Sequence, residues 1–145
     1  MKRYVVTFLF DRQFNVWLIE KQKPEWQKDC LNGIGGKIEP NENSLDAAVR
    51  ELKEEAGVII LKEDIYEVGF MWGTNNDGSN FEVYIFTGIT DETLSTQEEE
   101  KILKMPMNQV QFEKRIDNVP MLLHACHYRL TGKSNFSKLI MEYMR

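Results

Sequence analysis

The chain has 145 residues and a mass of 17.0 kDa, the size of one ordinary domain, and we expect residues 1–145 to form it. Its 18 basic and 23 acidic residues leave a net charge of −5, so a nucleic acid polymer or an anionic membrane is not an expected partner. Two isolated cysteines favour a cytoplasmic protein, and no run approaches the roughly 18 apolar residues of a membrane span. A monomer and a homodimer are both compatible with these numbers.

Two apolar runs near the start predict a β-hairpin. Residues 4–10, YVVTFLF, are rich in β-branched and aromatic residues, and VWLIE follows after the polar turn DRQFN. The next segment, KQKPEWQKDCLNGIGGKIEP, contains two prolines and three glycines. It is predicted to be a loop with a short strand around residues 36–38. Irregular segments of this length are uncommon unless they have a function.

The clearest helix follows this loop. Asn43 or Ser44 is a suitable N-cap, Asp46 adds a carboxylate to the first turn, and Gly57 is the expected residue just past the end. The predicted buried stripe has spacings of three and four residues and consists of Leu45, Ala48, Val49, Leu52 and Ala56.

The second half of the chain predicts a further hairpin and a second helix. Strands at 65–72 and 81–89 flank the turn cluster GTNNDGSN. STQEEEKILKMP is predicted to be an acidic loop or helical turn, VPMLLHACHYRLTG a helix ending at Gly132, and residues 136–143 the last strand. This order predicts an α/β fold, in which helices cover both faces of a mixed β-sheet.

The first helix gathers negative charge on one face. Glu51, Glu54 and Glu55 are three and four residues apart, so their side chains are neighbours. One interpretation is a solvated face in which Arg50 pairs with Glu54. The other is a metal site, because carboxylates of the helix and of the preceding loop can converge, and hard oxygen ligands suit Mg²⁺ or Mn²⁺.

The loop before this helix has features of a phosphate site. Gly35 and Gly36 allow the backbone to approach a ligand closely, and Lys37 supplies a cation beside them. Divalent ions commonly bind phosphate oxygens as well. The glycine pair by itself does not identify the ligand.

The complete spacing from Gly36 to Val58 resembles the Nudix box, G-x5-E-x7-R-E-U-x-E-E-x-G-U with U aliphatic, at every specified position. The resemblance implies a Nudix-type α/β/α sandwich with a catalytic loop-helix-loop, and cleavage of a nucleoside diphosphate linked to another moiety. It also implies divalent metal ligands at Gly36, Glu51, Glu54 and Glu55, to which Glu42 would contribute. Arg50 would orient the helix carboxylates.

Many members of this family take a further metal ligand or base from a loop after the central strands. Residues 98–100 are three adjacent glutamates in a suitable place, and Glu99 or Glu100 is predicted to have this role. The alternative is a solvated acidic loop.

Base recognition is predicted from a second resemblance. LNGIGGKIE resembles the NGFGGKVE-type segment of MutT-like hydrolases that clean oxidised purine nucleoside triphosphates, which implies that Asn32 contacts the purine and Lys37 the phosphate. Alternatively, Asn32 shapes the turn before Gly33. In KRIDNVPML, Asp117 and Asn118 are candidate partners of the base or else the N-cap of the second helix.

The combined prediction is a metal-dependent hydrolase that converts a nucleoside triphosphate to monophosphate and pyrophosphate, with either Phe112 or Trp26 stacking on the base. The family marker of ADP-ribose hydrolases, a proline, is replaced by Thr74, and the tyrosine of dinucleoside-polyphosphate hydrolases is replaced by Asn75 and Asn76. Hydrolysis of those compounds or of nucleotide sugars, RNA processing and a non-catalytic nucleotide-binding module are the alternatives. The base preference is left open.

Overall fold

The computed structural model describes residues 1–132 and 138–143. Two helices and eight strands lie in this part of the chain, together with short 3-10 turns. In chain order they are β1 Lys2–Phe10, β2 Asn15–Glu20, β3 Leu31–Asn32, β4 Ile34–Lys37, α1 Ser44–Ala56, β5 Tyr66–Thr74, β6 Asn80–Ile89, β7 Ile102–Pro106, α2 Val119–Thr131 and β8 Leu139–Tyr143.

The strands form one mixed sheet in the order β3-β2-β1-β6-β5-β8, with β4 added to β1 and β7 added to β2. The central pair, β1 and β6, is parallel, whereas β1 and β2 are antiparallel. Side chains alternate across a strand, and on β1 Val5 and Leu9 join the core under α1, while Val6, Phe8 and Phe10 join the core under α2. The predicted α/β sandwich with a mixed sheet is confirmed.

Local signals set the bounds of α1 as predicted. The Asn43 side chain accepts a hydrogen bond of 2.8 Å from the Asp46 N–H. Gly57 has a φ of 66°, a left-handed conformation that favours glycine, and its N–H donates to the last turn of the helix. The buried face includes Ala48, Leu52 and Ala56 as expected, and it also includes Glu51. A carboxylate is thus placed at the edge of the core.

One predicted element is wrong, because β7 falls in the segment that was predicted to be a loop or helical turn. It is a strand because it pairs with β2 from residue 102 to residue 106, a contact that is distant in sequence. The predicted last strand is confirmed for β8, while its first residues, 136 and 137, lie outside the described residues.

The length and hydropathy of the helices bear on membrane insertion. In the described part of the chain, neither α1 nor α2 has the apolar length that a bilayer crossing requires.

Candidate active site

Arg50 lies at the centre of the acidic surface of α1, and its guanidinium uses all five N–H donors. Nε and Nη2 donate to the two oxygens of Glu42 at 2.8 and 2.9 Å. Nη1 donates to Glu51 at 2.8 Å and to Glu54 at 3.1 Å. Nη2 also donates to the carbonyl of Lys37 at 2.9 Å. One cation therefore ties three carboxylates to the backbone of the glycine loop.

The loop backbone approaches this cluster closely at Gly36. A Cβ at this position would lie 2.5 Å from Oε1 of Glu51, so no side chain fits without displacing the carboxylate. A Cβ at Gly35 would lie 1.9 Å from the carbonyl oxygen of Val5, because β4 pairs with β1 there. Glycine is thus needed at 35 for the sheet and at 36 for the contact with the carboxylate.

The cluster carries more negative charge than Arg50 balances. Burial raises the pKa of Glu51 in spite of its bond from Arg50. Burial also raises the pKa of Glu55 to about 7, and the charge of Glu98 is the largest further cause. The pKa of Glu42 is lowered, because its carboxylate accepts the paired bonds from Arg50. The end of the helix is therefore a site with a strong preference for an added cation.

The three adjacent glutamates of the acidic loop have three different surroundings. Glu98 acts electrostatically on both Glu51 and Glu55. Glu99 has a side chain that is 79% exposed. Glu100 is held by the loop after β2 and has a smaller effect on Glu55 than Glu98 has. The structure thus associates Glu98, which was not chosen from the sequence, with the helix carboxylates.

A pocket of about 460 Å³ adjoins the cluster, between the sheet and the first turns of α2. Gly36 lines this pocket and also contacts Glu51, so the two sites meet there. A carboxamide offers both donors and acceptors to a base edge, and the volume lies within the range of ligand pockets. The pocket wall contains the carboxamide side chains of Gln27, Asn32, Asn75 and Asn118.

Most of the residues predicted to bind substrate line this pocket, namely Trp26, Asn32, Gly35, Lys37 and Asn118. Oδ1 of Asn32 accepts a bond of 2.8 Å from the Gly33 N–H. Oδ1 of Asn32 therefore stabilises the turn at Gly33, which agrees with the turn-shaping alternative.

Asp117 and Phe112 are not among the described residues that line the pocket. Asp117 is exposed and lies in a turn, in which the Val119 N–H donates to the carbonyl of Ile116 at 3.1 Å. Its neighbours Ile116 and Asn118 line the pocket instead. Phe112 is 75% exposed. Neither prediction is supported by the geometry.

Asn118 precedes α2 but does not cap it with its side chain. Its Nδ2 group donates to Sδ of Met71 at 3.4 Å, and the N-cap alternative is therefore wrong for this side chain.

Sequence reasoning missed two cations of the pocket, Lys21 and Lys23, which lie in the loop after β2. The unusual length of that loop was a signal of function, but it did not single out these residues.

A larger and more open depression of about 670 Å³ lies at the β5 and β8 side of the sheet. None of its described lining residues belongs to α1 or to the glycine loop. Of these two cavities, the smaller pocket is therefore the one that adjoins the acidic cluster.

The donor set at the end of α1 fits a hard divalent cation, because Glu51, Glu54, Glu55 and the carbonyls of the glycine loop supply oxygen ligands. Within residues 1–132 and 138–143, no three acidic, histidine or cysteine side chains are already arranged around an ion position. Glu51 and Glu54 are turned towards Arg50 instead. Each of the two carboxylates accepts from Arg50 through a single oxygen, so a bound ion would use the other oxygen.

Comparison with known proteins adds independent information. The chain matches the NUDIX domain family over residues 1–124. No match was found among curated proteins. The Nudix domain of Shewanella oneidensis NrtR, solved in complex with ADP ribose, is 17% identical with a TM-score of 0.75, covering 88% of this chain and 87% of that one.

Two further solved structures are similar. A MutT protein from Bacillus halodurans is 18% identical with a TM-score of 0.73, covering 99% of this chain and 91% of that one. An Ap4A hydrolase from C. elegans is 15% identical with a TM-score of 0.61, covering 91% and 99%. At these identities the structural likeness shows the fold alone.

The fold has a sheet with one core under each helix, and a carboxylate cluster follows the glycine loop. Together with the family match, these features identify a hydrolase of phosphorus-containing anhydrides. The chain belongs to the Nudix family and resembles MutT-like hydrolases. Nudix hydrolases generally use a divalent metal ion.

Proposed function

We propose that this protein hydrolyses a nucleoside triphosphate to nucleoside monophosphate and pyrophosphate, with an oxidised purine such as 8-oxo-dGTP as the first candidate substrate. The observation that carries the proposal is the meeting of two surfaces at Gly36, with the carboxylates bound by Arg50 on one side and the carboxamide-lined pocket on the other. A nucleotide that spans Gly36 has its base in the pocket and its anhydride bonds at the carboxylates.

The pocket side of the proposal assigns base recognition to Asn32 and Asn118, whose amide groups suit a purine edge. Trp26 lines the same pocket and is the proposed stacking partner of the base. Lys37 balances phosphate charge, and Gly35 keeps the loop backbone close to β1. Asp117 is left out of this set, because it is not in the pocket wall.

The acidic side of the proposal assigns Mg²⁺ or Mn²⁺ to Glu51, Glu54, Glu55 and the backbone of Gly36. When bound, the ion supplies charge neutralisation of the anhydride and a lower pKa for water. Arg50 keeps Glu51 and Glu54 side by side. A carboxylate of the cluster accepts the proton of the attacking water.

Other anhydrides are the second candidate substrates. One similar structure contains ADP ribose and another is an Ap4A hydrolase, so both linkages belong in any assay. We also propose that residues 1–145 form one domain. The cytoplasmic location and the choice between monomer and homodimer stay predictions.

The deciding experiment is product analysis with Mg²⁺ over ordinary and oxidised nucleoside triphosphates, ADP-ribose, nucleotide sugars, dinucleoside polyphosphates and 5′-triphosphate RNA. Glu54→Gln keeps the size of the side chain but removes a ligand charge, so we expect kcat/KM to fall about 100-fold or more at nearly unchanged stability. Glu63→Gln, in an exposed turn, is the matched control and should retain full activity.

Turnover of one triphosphate to monophosphate and pyrophosphate would support the proposal and identify the base. Turnover limited to another linkage would retain the metal site and reject the assigned base contacts. A folded protein that binds nucleotides but hydrolyses none of them would favour the non-catalytic module. Equal activity of Glu54→Gln would reject the metal site.

A further inference from the structure

Glu100 is the carboxylate of the acidic loop that accepts several bonds from one distant segment. Its Oε1 accepts from Nζ of Lys21 at 3.1 Å. Its Oε2 accepts a short hydrogen bond from the Gln22 N–H and a longer one, of 3.4 Å, from the Lys23 N–H. The side chain is only 16% exposed. Both oxygens are therefore engaged by residues that lie almost eighty positions earlier in the chain.

The segment that Glu100 holds is a wall of the pocket. Its residues at the pocket are Lys21, Lys23, Pro24, Trp26 and Gln27. The base of this loop is closed by backbone bonds between Lys21 and the residues at 29 and 30, of 2.7 and 2.9 Å. Bonds further along, such as that from the Gln27 N–H to the Pro24 carbonyl, close local turns. Glu100 is thus a connection from the first part of this wall to the rest of the fold.

The same contact fixes a cation at the boundary between the pocket and the acidic cluster. Lys21 lines the pocket and bonds Glu100, and its charge offsets a small part of the rise in the pKa of Glu55. Its side chain is 21% exposed, and without Glu100 a lysine side chain of this kind would sample many rotamers.

We infer that Glu100 is a positioning residue for nucleotide binding, which holds the loop of residues 21–27 against the pocket, and that it does not serve as a metal ligand. The inference rests on the proposed function for the identity of the ligand, but not for the contact itself.

The first test measures the contact without any activity. In Glu100→Gln we expect hydrogen exchange at the Gln22 and Lys23 amides to accelerate about tenfold or more, because a neutral amide oxygen replaces a charged acceptor. Glu99→Gln is the matched control, since the Glu99 side chain is 79% exposed and its 4.0 Å ion pair is with Nζ of Lys23, not with either amide. Its exchange should equal that of the unmodified protein. Unchanged exchange in Glu100→Gln would overturn the inference.

The second test separates positioning from metal binding. Titration with Mn²⁺ alone, followed by electron paramagnetic resonance, should give Glu100→Gln an affinity within twofold of the unmodified protein, whereas Glu54→Gln, which removes a proposed ligand, should bind more weakly. The dissociation constant for the non-hydrolysable analogue α,β-methylene-dGTP and the KM for the triphosphate substrate should rise about tenfold in Glu100→Gln. Its kcat should stay within about twofold.

Loss of Mn²⁺ affinity in Glu100→Gln, or a fall in kcat at constant KM, would identify Glu100 as a metal ligand and overturn the inference. If the unmodified protein hydrolyses no triphosphate, the proposed function fails, and amide exchange and Mn²⁺ binding still decide the role of Glu100. Should Glu100→Gln unfold, Lys21→Met removes one of the three bonds and leaves both backbone bonds. Lys21→Met should raise KM by a smaller factor, and an unchanged KM would contradict a positioning role for the Lys21–Glu100 contact.

Discussion

Arg50 and Glu100 are charged centres of opposite sign, and each bonds residues that line the pocket, Lys37 in the case of Arg50 and Lys21 and Lys23 in the case of Glu100. Arg50 is one cation that gathers three carboxylates and a carbonyl, all from residues 37–54. Glu100 is one anion that gathers three donors from residues almost eighty positions away. The partners of Arg50 are close to it in sequence, so a sequence motif can include them. The partners of Glu100 are distant in sequence and contact it only in the folded chain.

Arg50→Lys is the strongest test of the first centre. Lysine has three donors on a flexible stem and cannot reproduce the planar fork that serves five acceptor contacts. We expect kcat/KM to fall about 100-fold, and the free energy of unfolding, measured with urea, to fall by about 2 kcal/mol. Arg12→Lys is the matched control, because Arg12 also bonds a carboxylate through two nitrogens but is 72% exposed. Similar effects of both substitutions would contradict the claim that activity and stability depend on the five contacts of Arg50.

The two neighbouring glycines separate structure from function at the same centre. Gly36→Ala is expected to lower kcat about tenfold or more with a small loss of stability, because its Cβ would meet the flexible carboxylate end of Glu51. Gly35→Ala should instead lower the free energy of unfolding by about 3 kcal/mol, since its Cβ would meet the backbone of β1. Thermal unfolding and steady-state kinetics on both variants distinguish the two outcomes. An unfolded Gly36→Ala would contradict this division.

The elements that were predicted correctly carry their instructions locally. Asn43 and Gly57 are caps that need only the helix itself, and α1 has the predicted bounds. The strand β7 was missed because residues 102–106 form a strand by pairing with β2. The sequence ILKMP has neither a turn signal nor a clear alternation of apolar and polar residues from which this strand could be predicted.

The same distinction applies to the site. Arg50 and its carboxylates follow from helical spacing and a glycine loop, so their grouping could be predicted from residues 35–58. The choice among Glu98, Glu99 and Glu100 could not, because it depends on a loop that is distant in sequence. Asp117 is exposed in the turn before α2 while its neighbours Ile116 and Asn118 line the pocket, and the sequence alone did not distinguish these three positions.

Asn32→Ala tests the proposed base contact in the pocket wall. Its Oδ1 is bound by the Gly33 amide, so the donor Nδ2 is the group that a purine acceptor would lose. We expect KM for purine triphosphates to rise about tenfold, while KM for pyrimidine triphosphates changes little. Steady-state kinetics on both classes measures this difference. A uniform rise for all bases would leave Asn32 with the turn-shaping role alone.

Asp11 is a control for Glu100, because its carboxylate also accepts several hydrogen bonds but does not hold a wall of the pocket. It accepts the N–H groups of Gln13 at 2.9 Å and of Asn15 at 3.0 Å, and it lies 3.3 Å from Nζ of Lys104. Its side chain is 15% exposed, against 16% for Glu100, and it is not among the described residues that line the pocket. Asp11→Asn should therefore leave KM unchanged. A rise in KM like that of Glu100→Gln would show that the loss of any such buried carboxylate weakens substrate binding.

The same variant carries the smallest predicted effect, a dependence of stability on pH. Burial alone would raise the pKa of Asp11, but the bonds from Asn15, Gln13 and Lys104 outweigh it and lower the pKa to about 2. Because this value lies below the unfolded pKa of about 3.9, the stabilisation is complete above about pH 4 and is lost as the pH falls towards 2. Asp11→Asn should lower the free energy of unfolding by about 1 kcal/mol at pH 7 and by almost nothing near pH 2, as measured by urea unfolding at both values. A difference that grows on acidification would reverse the expected sign and exclude an ionised Asp11 as the source of the stability.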